Sequence, residues 1–170
     1  PTLNLIEKLV VNQRGFYLLM VGLSVSHLIF RGFLYTGAPT DDAEQLLFSQ
    51  EYRWGYGLLN PPLFTWLLIS IQRLVGVSLE SVAILKFITY FLIFFFLHRI
   101  ALRTLSEPLL SGVATLCPLM FYLIGWDAVL TYTHTILGTC LILSTLFACL
   151  RLAQYQCIWS YTLFGISCGL

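Results

Sequence analysis

The stretch VSLESVAILKFITYFLIFFFLHR, residues 77–99, decides how the chain must be read. From Val77 to Leu97 only Glu80 and Lys86 are charged, and the run is closed by His98, Arg99 and Arg103. About 20 apolar residues in helical form cross roughly 30 Å of hydrocarbon, so this stretch predicts a membrane-spanning helix. Lys86 lies on the order of 9 Å deeper than Glu80, at ~1.5 Å of rise per residue. A cation at that depth must be paired or must face water.

The rest of the chain repeats the pattern. Of 170 residues, 58% are hydrophobic and 10% charged, with a mean hydropathy of +0.85, far more apolar surface than a soluble domain of this size can bury. A first span is predicted from about Gly15 to Tyr35, with Lys8 and Arg14 before it and Arg31 near its far end, placed to snorkel. No small-residue cleavage site follows it, so it reads as a retained helix. A third span is predicted over Pro108 to Ile124, bent at Cys117-Pro118, and a fourth over Ala128 to Leu150, closed by Arg151. A fifth begins near Trp159 and runs into the end of the sequence, so the chain is expected to be the N-terminal portion of a longer protein. The fold class expected is all-α, polytopic and transmembrane. The net charge of +1 and the absence of a Lys/Arg run argue for no nucleic-acid partner. The five cysteines have neither metal-type nor CxxC spacing and read as small embedded residues.

One stretch is markedly polar. Thr36 to Asn60 holds Asp41, Asp42, Glu44, Glu51 and Arg53, and Pro61-Pro62 then open an apolar helix that Gly76 ends. At Leu63 to Val75 that helix is too short to span and is expected to lie in the interface. The charges agree. If it does not span, Lys8, Arg14, Arg99, Arg103 and Arg151 share one side, against Arg31, Arg53 and Arg73 on the other, as the positive-inside rule prefers. Asp41, Asp42 and Asp127 then fall on the same, outer side.

The order Asp41-Asp42-Ala43, Ser49-Gln50, Gly55-Tyr56, Asn60-Pro61-Pro62-Leu63, then Gly76-Val77-Ser78, Lys86, and Arg99 with Arg103, resembles the polyprenyl-phosphate-dependent glycosyltransferases of the protein mannosyltransferase and aminoarabinose transferase type, the GT-C class. Many members carry Asp-Glu-Ala, Ser-Gln, Gly-Tyr and His-Pro-Pro-Leu in this order, and a further Asp where this chain has Asp127. The resemblance covers most of the chain and corresponds to about the first third of a member. Here Asp42 replaces the usual Glu, Asn60 replaces the His or Lys before the prolines, and the Asp-to-proline spacing is about one residue longer.

The resemblance implies inverting transfer of a sugar from a polyprenyl-phosphate donor to a lipid, glycan or protein acceptor at the outer face of a bacterial inner membrane. It makes Asp41 the general base and Asp127 a second carboxylate that orients the acceptor or supports Asp41. Asp42, Arg53, Asn60 and Lys86 become substrate-binding candidates, with Lys86 either meeting the donor phosphate or pairing with a carboxylate of another span. Some members bind a divalent metal, although no ligand spacing here predicts one. The chemistry fits the residues: such a transfer needs a base for the acceptor proton and positive charge near the departing phosphate. Against it stands the ordinary reading of Asp41 and Asp42 as the solvated first turn of a helix after Pro39-Thr40.

Asp127, Thr131 and His134 recur at helical spacing on one face of the fourth span, which could line a water-filled cavity. A lone membrane histidine is more often satisfied by a neighbouring helix, so His134 stays outside the catalytic set. Trp54, Tyr56, Trp66 and Trp126 fall where an aromatic belt would put them. A transporter or channel is the rival class, with Lys86, Asp127 and His134 along a solute or proton path.

Overall fold

A computed structural model of the chain describes residues 9–34, 37–56 and 60–170. Lys8, Tyr35 and Thr36 lie outside the described residues. The order of helices is α1 (Gln13–Leu34), α2 (Thr40–Phe48), α3 (Pro62–Val75), α4 (Leu79–Thr104), α5 (Pro108–Leu116), α6 (Ala128–Thr131), α7 (His134–Gln154) and α8 (Ile158–Gly169). A 3-10 turn, Cys117–Met120, and a π turn, Leu123–Asp127, join α5 to α6. Extended pairing among the described residues is limited to one bridge between Tyr56 and Asn60. The protein is all-α, and α1, α4 and α7 are each long and apolar enough to cross a membrane.

Local chemistry sets the helix ends. Ser78 caps α4, its hydroxyl accepting from the Ser81 amide at 3.3 Å, and Glu80 in the first turn complements the helix dipole. Pro62 opens α3 at a position whose amide has no helical partner, and Gly76, with φ +88°, ends it in the left-handed region that glycine adopts without strain. With 14 residues α3 is about 21 Å long at ~1.5 Å per residue, short of a bilayer.

Two stacked pairs fix the helix directions. Phe16, at the start of α1, stacks on His98, near the end of α4, at 3.9 Å between ring centroids, while Arg31 at the end of α1 reaches the neighbourhood of Lys86 early in α4. Helices α1 and α4 are therefore antiparallel. His134 opens α7 beside α2, and Phe147 near its other end lies under Arg103 of α4, so α7 runs parallel to α4. Helix α8 returns against α7, with the Thr145 hydroxyl donating to the Ser167 carbonyl at 3.0 Å. One end of the bundle gathers Arg14, Arg99, Arg103 and Arg151. The other, called here the acidic end, gathers α2, α3 and the turn holding Asp127. Helix α4 is central: 56% of its apolar window is buried, against 17% for α1 and 33% for α7.

The third apolar segment differs from the sequence expectation. Its two halves, Pro108–Met120 and Leu123–Thr131, meet at 84°, and the break falls after Pro118, at Phe121 and Tyr122. Pro118 sits in the first turn of the 3-10 segment, where its missing amide costs little. Gly125 then lies so close to the preceding turn that a Cβ there would stand 2.2 Å from the Leu119 carbonyl oxygen. Bent backbone at membrane depth frees carbonyl groups that need donors. Tyr90 donates to the Ile124 carbonyl at 2.8 Å, Lys86 to that of Leu130 at 3.0 Å, and His27 Nε2 lies 3.2 Å from that of Gly125. A second break at Tyr132 and Thr133 separates α6 from α7. Asp127 and Thr131 therefore do not share a helix with His134, as the fourth span predicted from Ala128 required.

Candidate functional site at the acidic end

Helix α2 divides its residues by face. Asp42 and Gln45, three positions apart, are fully buried, whereas Asp41 is half-buried and Glu44 exposed. The first turn thus points one carboxylate into the bundle and leaves its neighbour open.

Asp42 is the hub. Arg31 of α1 donates to its Oδ2, and the Lys86 ammonium of α4 faces its Oδ1. Lys86 directs its aligned hydrogen bond to the Leu130 carbonyl and meets Asp42 through charge. Two cations on one carboxylate leave a single positive charge in excess. With Asp42 and Lys86 at 0% exposure and Arg31 at 7%, that excess is little screened by water. Lys86 is thus paired with a carboxylate of the polar stretch between α1 and α3, not of another span.

Gln45 makes the second tie. Its carbonyl accepts from the Thr65 hydroxyl of α3 at 2.8 Å, and its amide lies 2.9 Å from His134 Nε2. The amide can only donate there, so Nε2 accepts and the His134 proton sits on Nδ1. The Phe64 ring meets the imidazole edge-on at 5.6 Å. His134 is thus held at Nε2 by α2, while its Nδ1 is buried without a hydrogen-bond partner among the described residues, and α2 is locked to α1 and α4 through Asp42 and to α3 and α7 through Gln45.

The other candidates lie around this hub. Asp41 has no hydrogen-bond partner among the described residues, and its charge reaches both Lys86 and His134. Asn60 donates to Glu44 at 3.2 Å. Arg53 is exposed and bound by Glu51, whose hydrogen bond and charge raise the guanidinium pKa. Its carbonyl accepts from Trp66 Nε1 at 2.8 Å, and Trp66 stacks on Tyr52 at 5.3 Å with Trp54 edge-on at 5.4 Å. Asp127 accepts from the Thr131 hydroxyl at 2.9 Å, in a turn that runs into α6, against which α2 packs. Asp42 and Lys86 are brought into contact; Asp41 and Asp127 share one end of the bundle; Arg53 stands apart on its own carboxylate.

Sequence reading passed over Arg31, Gln45 and Thr65. The Asp42–Gln45 spacing is the signal that would have marked a shared helix face, and Arg31 was placed near the far end of its span, but its partner is identified only by the fold. The transporter reading needs Lys86 on a water path, and Lys86 has no exposed surface. No group of three or more His, Cys, Asp or Glu among the described residues is placed to hold a metal ion.

The chain is 28% identical over 156 residues to the lipopolysaccharide core galacturonosyltransferase RgtA of Rhizobium johnstonii, and 27% identical over 157 residues to RgtB of the same organism. Both relatives are glycosyltransferases. The alignments cover 90% and 91% of this chain, which spans about 30% of the length of each relative. No family model matches the chain, and no solved structure matches it.

Proposed function

We propose that this chain is part of a membrane glycosyltransferase of the GT-C type, which at the chain's acidic end moves a sugar from a polyprenyl-phosphate donor to an acceptor at the outer face of a bacterial inner membrane. The observation that carries this reading is the division of labour between adjacent carboxylates. Asp42 is consumed by Arg31 and Lys86, and Asp41, one residue away, is left half-buried and without a hydrogen-bond partner among the described residues. A general base must be free to reach the acceptor proton, and Asp41 meets that condition. The excess positive charge of the Arg31–Asp42–Lys86 cluster favours a departing phosphate nearby. Asp127, on the turn beside α2, orients the acceptor or supports Asp41. Asn60, which reaches Glu44 of α2, contacts the donor headgroup without charge and so more weakly than a histidine or lysine would.

The similarity to two lipopolysaccharide core galacturonosyltransferases supports the reaction class and makes a hexuronosyl donor with a lipopolysaccharide acceptor the first pair to assay. In the full-length protein, Asp41→Asn is expected to slow transfer about 10²- to 10⁴-fold while expression and monodispersity are kept. Near-wild-type transfer in that variant removes Asp41 as the base.

A further inference from the structure

At the end of the bundle opposite Asp41, Arg99 and Arg103 of α4 and Arg151 of α7 line a bay of about 520 Å³ together with Tyr155 and Cys157. Arg99 and Arg103 are four residues apart, on one helix face, and both lie over the Phe147 ring, at 5.9 and 4.5 Å from its centroid. Arg103 feels the charges of both other arginines. None of the three meets a carboxylate in an ion pair among the described residues, and Arg103 Nη1 is shielded from solvent without a hydrogen-bond partner. Arg103 and Arg151 stand in the last turns of their helices, where each dipole supplies ~0.5 of a negative charge. Two such half-charges against three guanidiniums leave the bay strongly positive.

We propose that this bay binds the phosphate of an anionic phospholipid. Basic pockets between spanning helices are suited to such headgroups. Exposed Tyr155 lines the bay, and from Cys157 in its wall the chain runs directly into exposed Ile158 and Trp159, apolar surface which a lipid's acyl chains cover and a free phosphate does not. The cation–π contacts with Phe147 hold two guanidiniums in place, so their ordering is largely complete before the headgroup arrives.

The test is native mass spectrometry of the full-length protein released from a nonionic detergent, titrated separately with dioleoylphosphatidylglycerol and dioleoylphosphatidylcholine. The anionic lipid is expected to bind more tightly, and Arg103→Gln with Arg151→Gln to weaken it about twenty-five-fold, at roughly fivefold per arginine. Should the double variant fail to fold, Arg99→Gln alone carries the test, with a loss of about fivefold. Equal affinity for the two lipids, or unchanged affinity in the variants, overturns the proposal. Millimolar inorganic phosphate that displaces the lipid completely overturns the lipid assignment in favour of a free anion.

Discussion

Removing the Asp42 carboxylate is expected to damage the protein more than removing either of its cations. Asp42→Asn leaves Arg31 and Lys86 facing one another at 7% and 0% exposure with no carboxylate bound between them, and breaking a buried ion pair in this way costs about 3–5 kcal/mol. Lys86→Met leaves Arg31 and Asp42 as a neutral pair and mainly deprives the Leu130 carbonyl of its donor, a loss of about 1–3 kcal/mol. The double variant should cost less than the sum of its parts, because the second change removes a cation that the first had stranded. Equilibrium unfolding of the full-length protein in mixed micelles reads all three. A Lys86→Met penalty equal to that of Asp42→Asn, or strict additivity in the double variant, refutes the cluster as a net cation held by one carboxylate.

Gly125→Ala is expected to cost about 1–3 kcal/mol, because its Cβ would press on the Leu119 carbonyl, whereas Gly138→Ala, where a Cβ meets open space, should be neutral or stabilising in the same unfolding assay. Cys157 is exposed, and its thiol pKa is lowered chiefly by the hydrogen bond from the Ser160 hydroxyl at 3.3 Å. Its thiolate forms at lower pH, so alkylation of Cys157 near neutral pH should slow in Ser160→Ala and recover as the pH is raised, a profile followed by peptide mass mapping.

The elements legible in the sequence are those written locally. The Pro61-Pro62 start of α3, its Gly76 end and the long apolar runs of α1 and α4 follow from proline geometry, glycine freedom and bilayer thickness. The bend was expected at Cys117-Pro118 and occurs at Phe121-Tyr122, because what permits it is remote: donors on Tyr90 and Lys86 that satisfy freed carbonyls. The candidate site divides in the same way. Helical spacing placed Asp41 and Asp42 in a first turn but gave no reason for one to be buried and the other open. That difference arises from Arg31 and Lys86, on two helices far apart in sequence. Arg31 was expected to snorkel toward water and instead turns inward, since a buried carboxylate offers it a stronger partner than the interface. Gln45 and Thr65 carry no motif, and their role as the tie to His134 exists only once three helices have met.

The shared location of Asp41 and Asp127 supports everything proposed for the acidic end, and sided chemical labelling tests it. Cysteines placed singly at the two positions in a cysteine-depleted full-length protein, in intact cells, are treated with a membrane-impermeant maleimide. Both should react from the outside, while the native Cys157, restored alone at the basic end, reacts only after the membrane is opened. Labelling of position 41 from outside and of position 127 only from within would contradict the account.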